Sequence, residues 1–64
     1  MKEKNNISTK KAINNAAIEL FSQKGFDGVG MREIANKADI AVSVLYYYYA
    51  NKETMYKEIV YDYF

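Results

Sequence analysis

The stretch 30–49, GMREIANKADIAVSVLYYYY, decides how this chain folds. Its first half sets Met31, Ile34, Ala35 and Ala38 at three- and four-residue spacing and leaves Arg32, Glu33, Asn36 and Lys37 outside. That period predicts a short helix over 31–38, with Gly30 as a modest N-cap. Asp39, Ile40 and Ala41 break the pattern. The second half, 42–49, is ambiguous taken alone, because Val42, Val44, Leu45 and four consecutive tyrosines have the β-branched and aromatic content of a strand. No other segment offers such a strand a partner, and an isolated strand leaves its backbone groups unpaired. A helix is therefore expected here too. Two short helices around a tight turn form a helix-turn-helix, whose second helix is free to present side chains to a groove.

Working outward, Ile13, Ala16, Ala17, Leu20 and Phe21 repeat at helical spacing and predict a first helix over 9–24, capped by Ser8 or Thr9 and ended at Gly25. Lys24 lies favourably at the carbonyl end of that helix dipole. Residues 26–30 hold Asp27, Gly28 and Gly30 and read as a loop. Beyond the tyrosines, Asn51 is placed to cap a fourth helix and Glu53 falls in its first turn. Met55, Tyr56, Ile59, Val60, Tyr63 and Phe64 form its apolar stripe. The expected fold class is all-α: a short homeodomain-like three-helix module with a helix-turn-helix, plus the start of a fourth helix. The expected division is a basic flexible arm over 1–8, the module over 9–50 and the fourth helix over 51–64.

Composition narrows the function. At 64 residues the chain is one domain at most, and a chain of this size buries only about 60% of its unfolded surface. Half of its residues are apolar, enough to argue against disorder. Histidine and cysteine are absent, which removes disulfides, the usual zinc ligands and the easiest general base near neutral pH. With no nucleophile and no convergent acid and base pair, no catalytic residue, metal site or cofactor is expected. No apolar run has signal-peptide or membrane-spanning length, and no helix joins a basic face to a clean apolar one, so a cytoplasmic chain without a membrane partner is expected. Net charge is only +1. The bases gather early, with Lys2, Lys4, Lys10, Lys11 and Lys24 set against Glu3 and Glu19. Such an arm suits a DNA backbone, an anionic surface or plain solvent.

The residues from Ala12 to Val60 carry a resemblance. The Ala-rich first helix closing on Leu20, Phe21, Gly25 and Phe26; the run Arg32, Glu33, Ile34, Ala35; Ala38 before the turn; and Leu45, Tyr46, Tyr48, Tyr49 followed by Lys52 and Glu53 together resemble the amino-terminal domain of TetR-type transcriptional regulators. The resemblance implies sequence-specific binding of double-stranded DNA at a palindromic operator, typically in repression. It also implies a homodimer formed through residues beyond this chain, and a small-molecule effector bound by a carboxy-terminal domain absent from these 64 residues, which thus read as the head of a longer regulator. The positions it assigns to DNA are Gly30, Met31 and Arg32 at the start of the second helix; Val42, Ser43, Val44, Tyr46, Tyr47 and Tyr48 on the third; and Lys52 opening the fourth.

Each has a physical reading beside it. Lys52, a cation at a helix start, is electrostatically misplaced unless something anionic such as a phosphate lies nearby, its plain alternative being a solvated surface lysine. Tyr46 and Tyr47 point outward if Leu45 and Tyr49 point inward, and a phenol can reach a phosphate. Tyr48 suits either the core or the DNA. Arg32 suits a phosphate, a guanine edge or an ion pair within its helix.

The chain also departs from the family's pattern. Val29 and Gly30 stand where a threonine pair is common, Asp39 where a glycine is, and Ala41 and Val42 where a serine and then a lysine are. Gly30 keeps only its backbone N–H for a phosphate. Ala41 is a poor cap, with Asp39 a candidate substitute. These exchanges predict an apolar reading face in which Val42 and Val44 meet thymine methyl groups while Ser43 and the tyrosines hydrogen-bond. The alternative function is a protein-interaction module, its stripe ending in Val60, Tyr63 and Phe64, that pairs with a full-length relative and does not itself bind DNA.

Overall fold

The computed structural model describes residues 5–63, with side-chain surroundings over 9–62. Four helices follow one another: α1 (Asn5–Lys24), α2 (Met31–Ala38), α3 (Val42–Tyr48) and α4 (Lys52–Tyr63), with no strand among the described residues. Helix α1 packs on α2 and α4, and α2 on α3. The ambiguous tyrosine segment is helical, as the lack of a strand partner required.

Helix α1 starts earlier than its apolar period indicates. It is already helical at Asn5, so Ser8 and Thr9 lie inside the helix instead of capping it. The apolar period begins only where α1 meets the rest of the molecule, and a helix can run past that contact without leaving an apolar mark. Lys2 and Lys4 lie outside the described residues, as do the side chains of Tyr63 and Phe64.

The core joins Ile13, Ala16, Ala17 and Leu20 of α1, Ile34 and Ala35 of α2, Leu45 of α3, and Met55 and Ile59 of α4, together with Val29 and Tyr49 from the connections. Ala35 is buried and Ala38 partly so, which lets α2 and α3 cross closely. Gly25 adopts φ 80° and donates its N–H to Phe21 O at 2.8 Å, ending α1. Gly28 is required for a different reason: a Cβ there would lie 2.6 Å from the Lys24 carbonyl oxygen. The loop returns Phe26 to the rim of the core, where its ring centroid lies 5.7 Å from that of Phe21 and 5.1 Å from that of Tyr56.

The turn between α2 and α3 rests on Asp39 at φ 63°, the one described non-glycine residue with positive φ. Its N–H bonds to Asn36 O at 3.1 Å, and Ile40 N–H bonds to Ala35 O at 3.0 Å, a paired closure that satisfies the last carbonyls of α2. Asp39 therefore ends α2, and the expectation that it caps α3 is corrected. Ala41 stands at the N-cap of α3 with no side-chain bond. Asn51 caps α4 as expected, its Oδ1 accepting from Thr54 N–H at 2.8 Å.

Candidate nucleic-acid interface

Leu45 and Tyr49 fix the orientation of α3. Both are buried, and Tyr49 continues inward to donate its hydroxyl to Asn14 Oδ1 on α1 at 2.7 Å. The apolar period points to Tyr49 but gives no sign of Asn14, the described buried polar residue that receives it. The Asn14 position looks like an ordinary solvated one in the sequence, and only the approach of α3 to α1 gives it a partner.

With one side of α3 committed to the core, about 100° per residue places Ser43 and Tyr47 on the far side and Val44 and Tyr46 on the flanks. Tyr47 is 84% exposed, Tyr46 50% and Val44 38%, and Ser43 is exposed too. Val42 and Tyr48 behave differently. Both are half-buried and pack against the core, so Val42 sits at the margin of the outward face. Tyr48 meets the Tyr47 ring edge-on at 5.4 Å and 89°, supporting it from the core side.

The starts of α2 and α4 come together through Lys52. Its ammonium donates to Phe26 O at 2.6 Å and Val29 O at 2.8 Å and lies 4.2 Å from the Phe26 ring centroid. The acceptor that a cation at a helix start needs is thus supplied within the protein, by two carbonyls of the α1–α2 loop. Sequence reasoning missed this tie because both acceptors are backbone atoms and any residue type carries them. The third ammonium hydrogen is not used by these two bonds.

Beside Lys52, Gly30 is exposed and extended at φ −110°, ψ 163°, with open space where a Cβ would lie. Met31 is half-buried against the core. Arg32 is exposed and has no ion-pair partner among the described residues. Its neighbour Glu33 pairs instead with Lys24, which removes an intrahelical competitor for Arg32. The expected positions thus divide into an outward set, Gly30, Arg32, Ser43, Val44, Tyr46 and Tyr47; a supporting set, Met31, Val42 and Tyr48; and Lys52 as a tie between loops. Asp39, at the end of α2, and Glu53, in the first turn of α4, are exposed. No group of His, Cys, Asp or Glu suited to a metal occurs among the described residues, and no described helix is long and apolar enough to cross a membrane.

Residues 13–59 match the family model for bacterial regulatory proteins, tetR family. The probable HTH-type transcriptional regulator YttP of Bacillus subtilis is 40% identical over 58 residues, covering 91% of this chain and 28% of that protein. IcaR of Staphylococcus epidermidis, an HTH-type negative transcriptional regulator of the biofilm operon icaADBC, is 46% identical over 50 residues, 78% of this chain and 26% of its own. RutR of Escherichia coli, an HTH-type transcriptional regulator, is 45% identical over 47 residues, 73% of this chain and 22% of its own. The chain therefore spans about a quarter of the length of these relatives. No solved structure matches it significantly.

Proposed function

The chain belongs to the tetR family of bacterial regulatory proteins, and we propose that it acts as the DNA-binding head of a transcriptional regulator, most simply a repressor. The observation that carries this reading is the division of α3 into a locked inner side, Leu45 with Tyr49 behind it, and an outer side of Ser43, Val44, Tyr46 and Tyr47 that packs on nothing in the core. A helix held in this way enters the major groove without losing core contacts. On this reading Arg32, the Gly30 N–H and the third ammonium hydrogen of Lys52 serve phosphates at the flanks, which the exposure of Arg32 and Gly30 supports.

One head reads one half-site, so a palindromic operator calls for two heads on a twofold axis. We assign that pairing, and the binding of a small effector, to segments of a longer polypeptide. The role is non-enzymatic and belongs in the cytoplasm, where the chromosome is. Selection of bound duplexes from a random pool, at low and at moderate salt, tests the reading. Enrichment of a half-site motif is expected; a pool that stays random at low salt refutes it.

One observation favours a second reading. Tyr56, Lys57, Val60 and Tyr61 line a shallow, mostly apolar groove on α4, and Tyr61 is 86% exposed. On that reading the chain pairs with a full-length relative and leaves DNA alone. Concentration-dependent association without any response to DNA would favour it over the first.

A further inference from the structure

The outward face of α3 carries no charged side chain and no amide. We propose that it reads the C5-methyl groups of thymine, with Val44 and the Tyr47 ring as the methyl contacts and Ser43, one turn before Tyr47, as the hydrogen-bonding group beside them, so that the preferred half-site is rich in A·T pairs. The inference rests on α3 being the element that enters DNA, and deepens that reading by naming the chemistry recognised.

Exclusion supplies the first half of the argument. Guanine is read by bidentate Arg or Lys, adenine by Asn or Gln, and the cytosine amino group by Asp or Glu. The helix VSVLYYY holds none of these. Among the major-groove features of the four bases, the thymine methyl alone is matched by an apolar surface.

Geometry supplies the second half. Ser43 and Tyr47 are four residues apart and so lie on one ridge, opposite buried Leu45, with Val44 beside it. The Tyr47 ring is braced edge-on by Tyr48, itself half-buried against the core. A braced ring loses less freedom on docking than a free one. Val42 is spent on core packing, so the methyl-reading pair is Val44 and Tyr47, not Val42 and Val44. The chain's net charge is only +1 and Lys52 is engaged by two loop carbonyls, which leaves phosphate attraction modest and gives close apolar contact a larger share of the discrimination. Arg32, exposed in the first turn of α2, is a side chain outside that face able to read a guanine.

Uracil pairs as thymine does and lacks only the methyl group, which makes it the probe. The 64-residue chain is titrated with its selected half-site duplex and with the same duplex carrying uracil at each thymine in turn. Affinity should fall about fourfold at each position whose methyl seats on Val44 or Tyr47, the ratio equivalent to ~0.8 kcal/mol for one buried methyl-sized group. Val44→Ala should remove the thymine-over-uracil preference at one position and keep it at the other. Val44 is more than a third exposed, so the variant is expected to fold, and circular dichroism checks that it does. Equal affinity for thymine and uracil duplexes overturns the inference and leaves DNA binding standing. Failure to select any duplex at low salt overturns both.

Discussion

Replacing Lys52 by Met separates two roles that the residue could have. If the side chain serves only a phosphate, the free protein should not notice its loss. The structure assigns it two hydrogen bonds within the protein, 2.6 Å to Phe26 O and 2.8 Å to Val29 O, and a place over the Phe26 ring. A hydrogen bond involving a charged group contributes about 1.5 to 3 kcal/mol. Partial exposure lets water replace part of that, and a cation at a helix start costs about 0.3 to 1 kcal/mol, which the variant recovers. Methionine keeps the apolar stem against Phe26. The net loss should be about 2 kcal/mol, a large share of the roughly 3 to 10 kcal/mol expected for a domain of this size. At about 4 to 8 °C per kcal/mol, Tm should fall by roughly 8 to 16 °C. Thermal denaturation followed by circular dichroism reads this directly, with Lys57→Met as the control, an exposed lysine on the same helix. A Lys52→Met protein that melts within about 2 °C of the parent would refute the loop tie and return Lys52 to a purely DNA-facing role. In that case the loss should appear in DNA binding, as a salt dependence shallower by about one phosphate contact.

Other substitutions test the remaining features. Asp39→Gly should stabilise the fold by about 0.5 to 1 kcal/mol, since glycine adopts φ 63° without strain and an anion leaves the carbonyl end of α2; chemical denaturation checks the sign. Tyr49→Phe should cost about 1 to 3 kcal/mol, because Asn14 Oδ1 loses its buried donor. Adding Asn14→Leu should recover much of that loss, since removing both partners leaves no polar atom stranded. Ala41→Ser should raise stability by about 0.5 to 2 kcal/mol by supplying the missing cap of α3. Gly30→Ser meets open space, should gain a few tenths of a kcal/mol, and should tighten DNA binding by offering a hydroxyl at the start of α2; a titration at fixed salt measures it.

The sequence by itself determined the four helices and their inner faces. Ile13, Leu20, Ile34 and Ile59 belong to stripes whose period only a helix can bury on one side, Leu45 lies in a segment that the lack of a strand partner makes helical, and the turn positions at 25 and 39–41 interrupt the pattern where they should. It also determined the chemistry of α3, because the absence of charged and amide side chains there is a fact of composition. What it could not determine depends on groups that carry no sequence signature or lie far apart in the chain. The acceptors of Lys52 are backbone carbonyls 26 and 23 residues away, and the partner of the Tyr49 hydroxyl lies 35 residues away on α1. Periodicity reports which side of a helix avoids water, and it contains no term for which polar atoms meet once that side is buried. Val42 and Tyr48 are different, because each lies three residues from buried Leu45, about 60° from the inward side, so the half-burial of both follows from their own helix. Tertiary packing alone thus decided that Lys52 binds the α1–α2 loop and that the Tyr49 hydroxyl reaches Asn14.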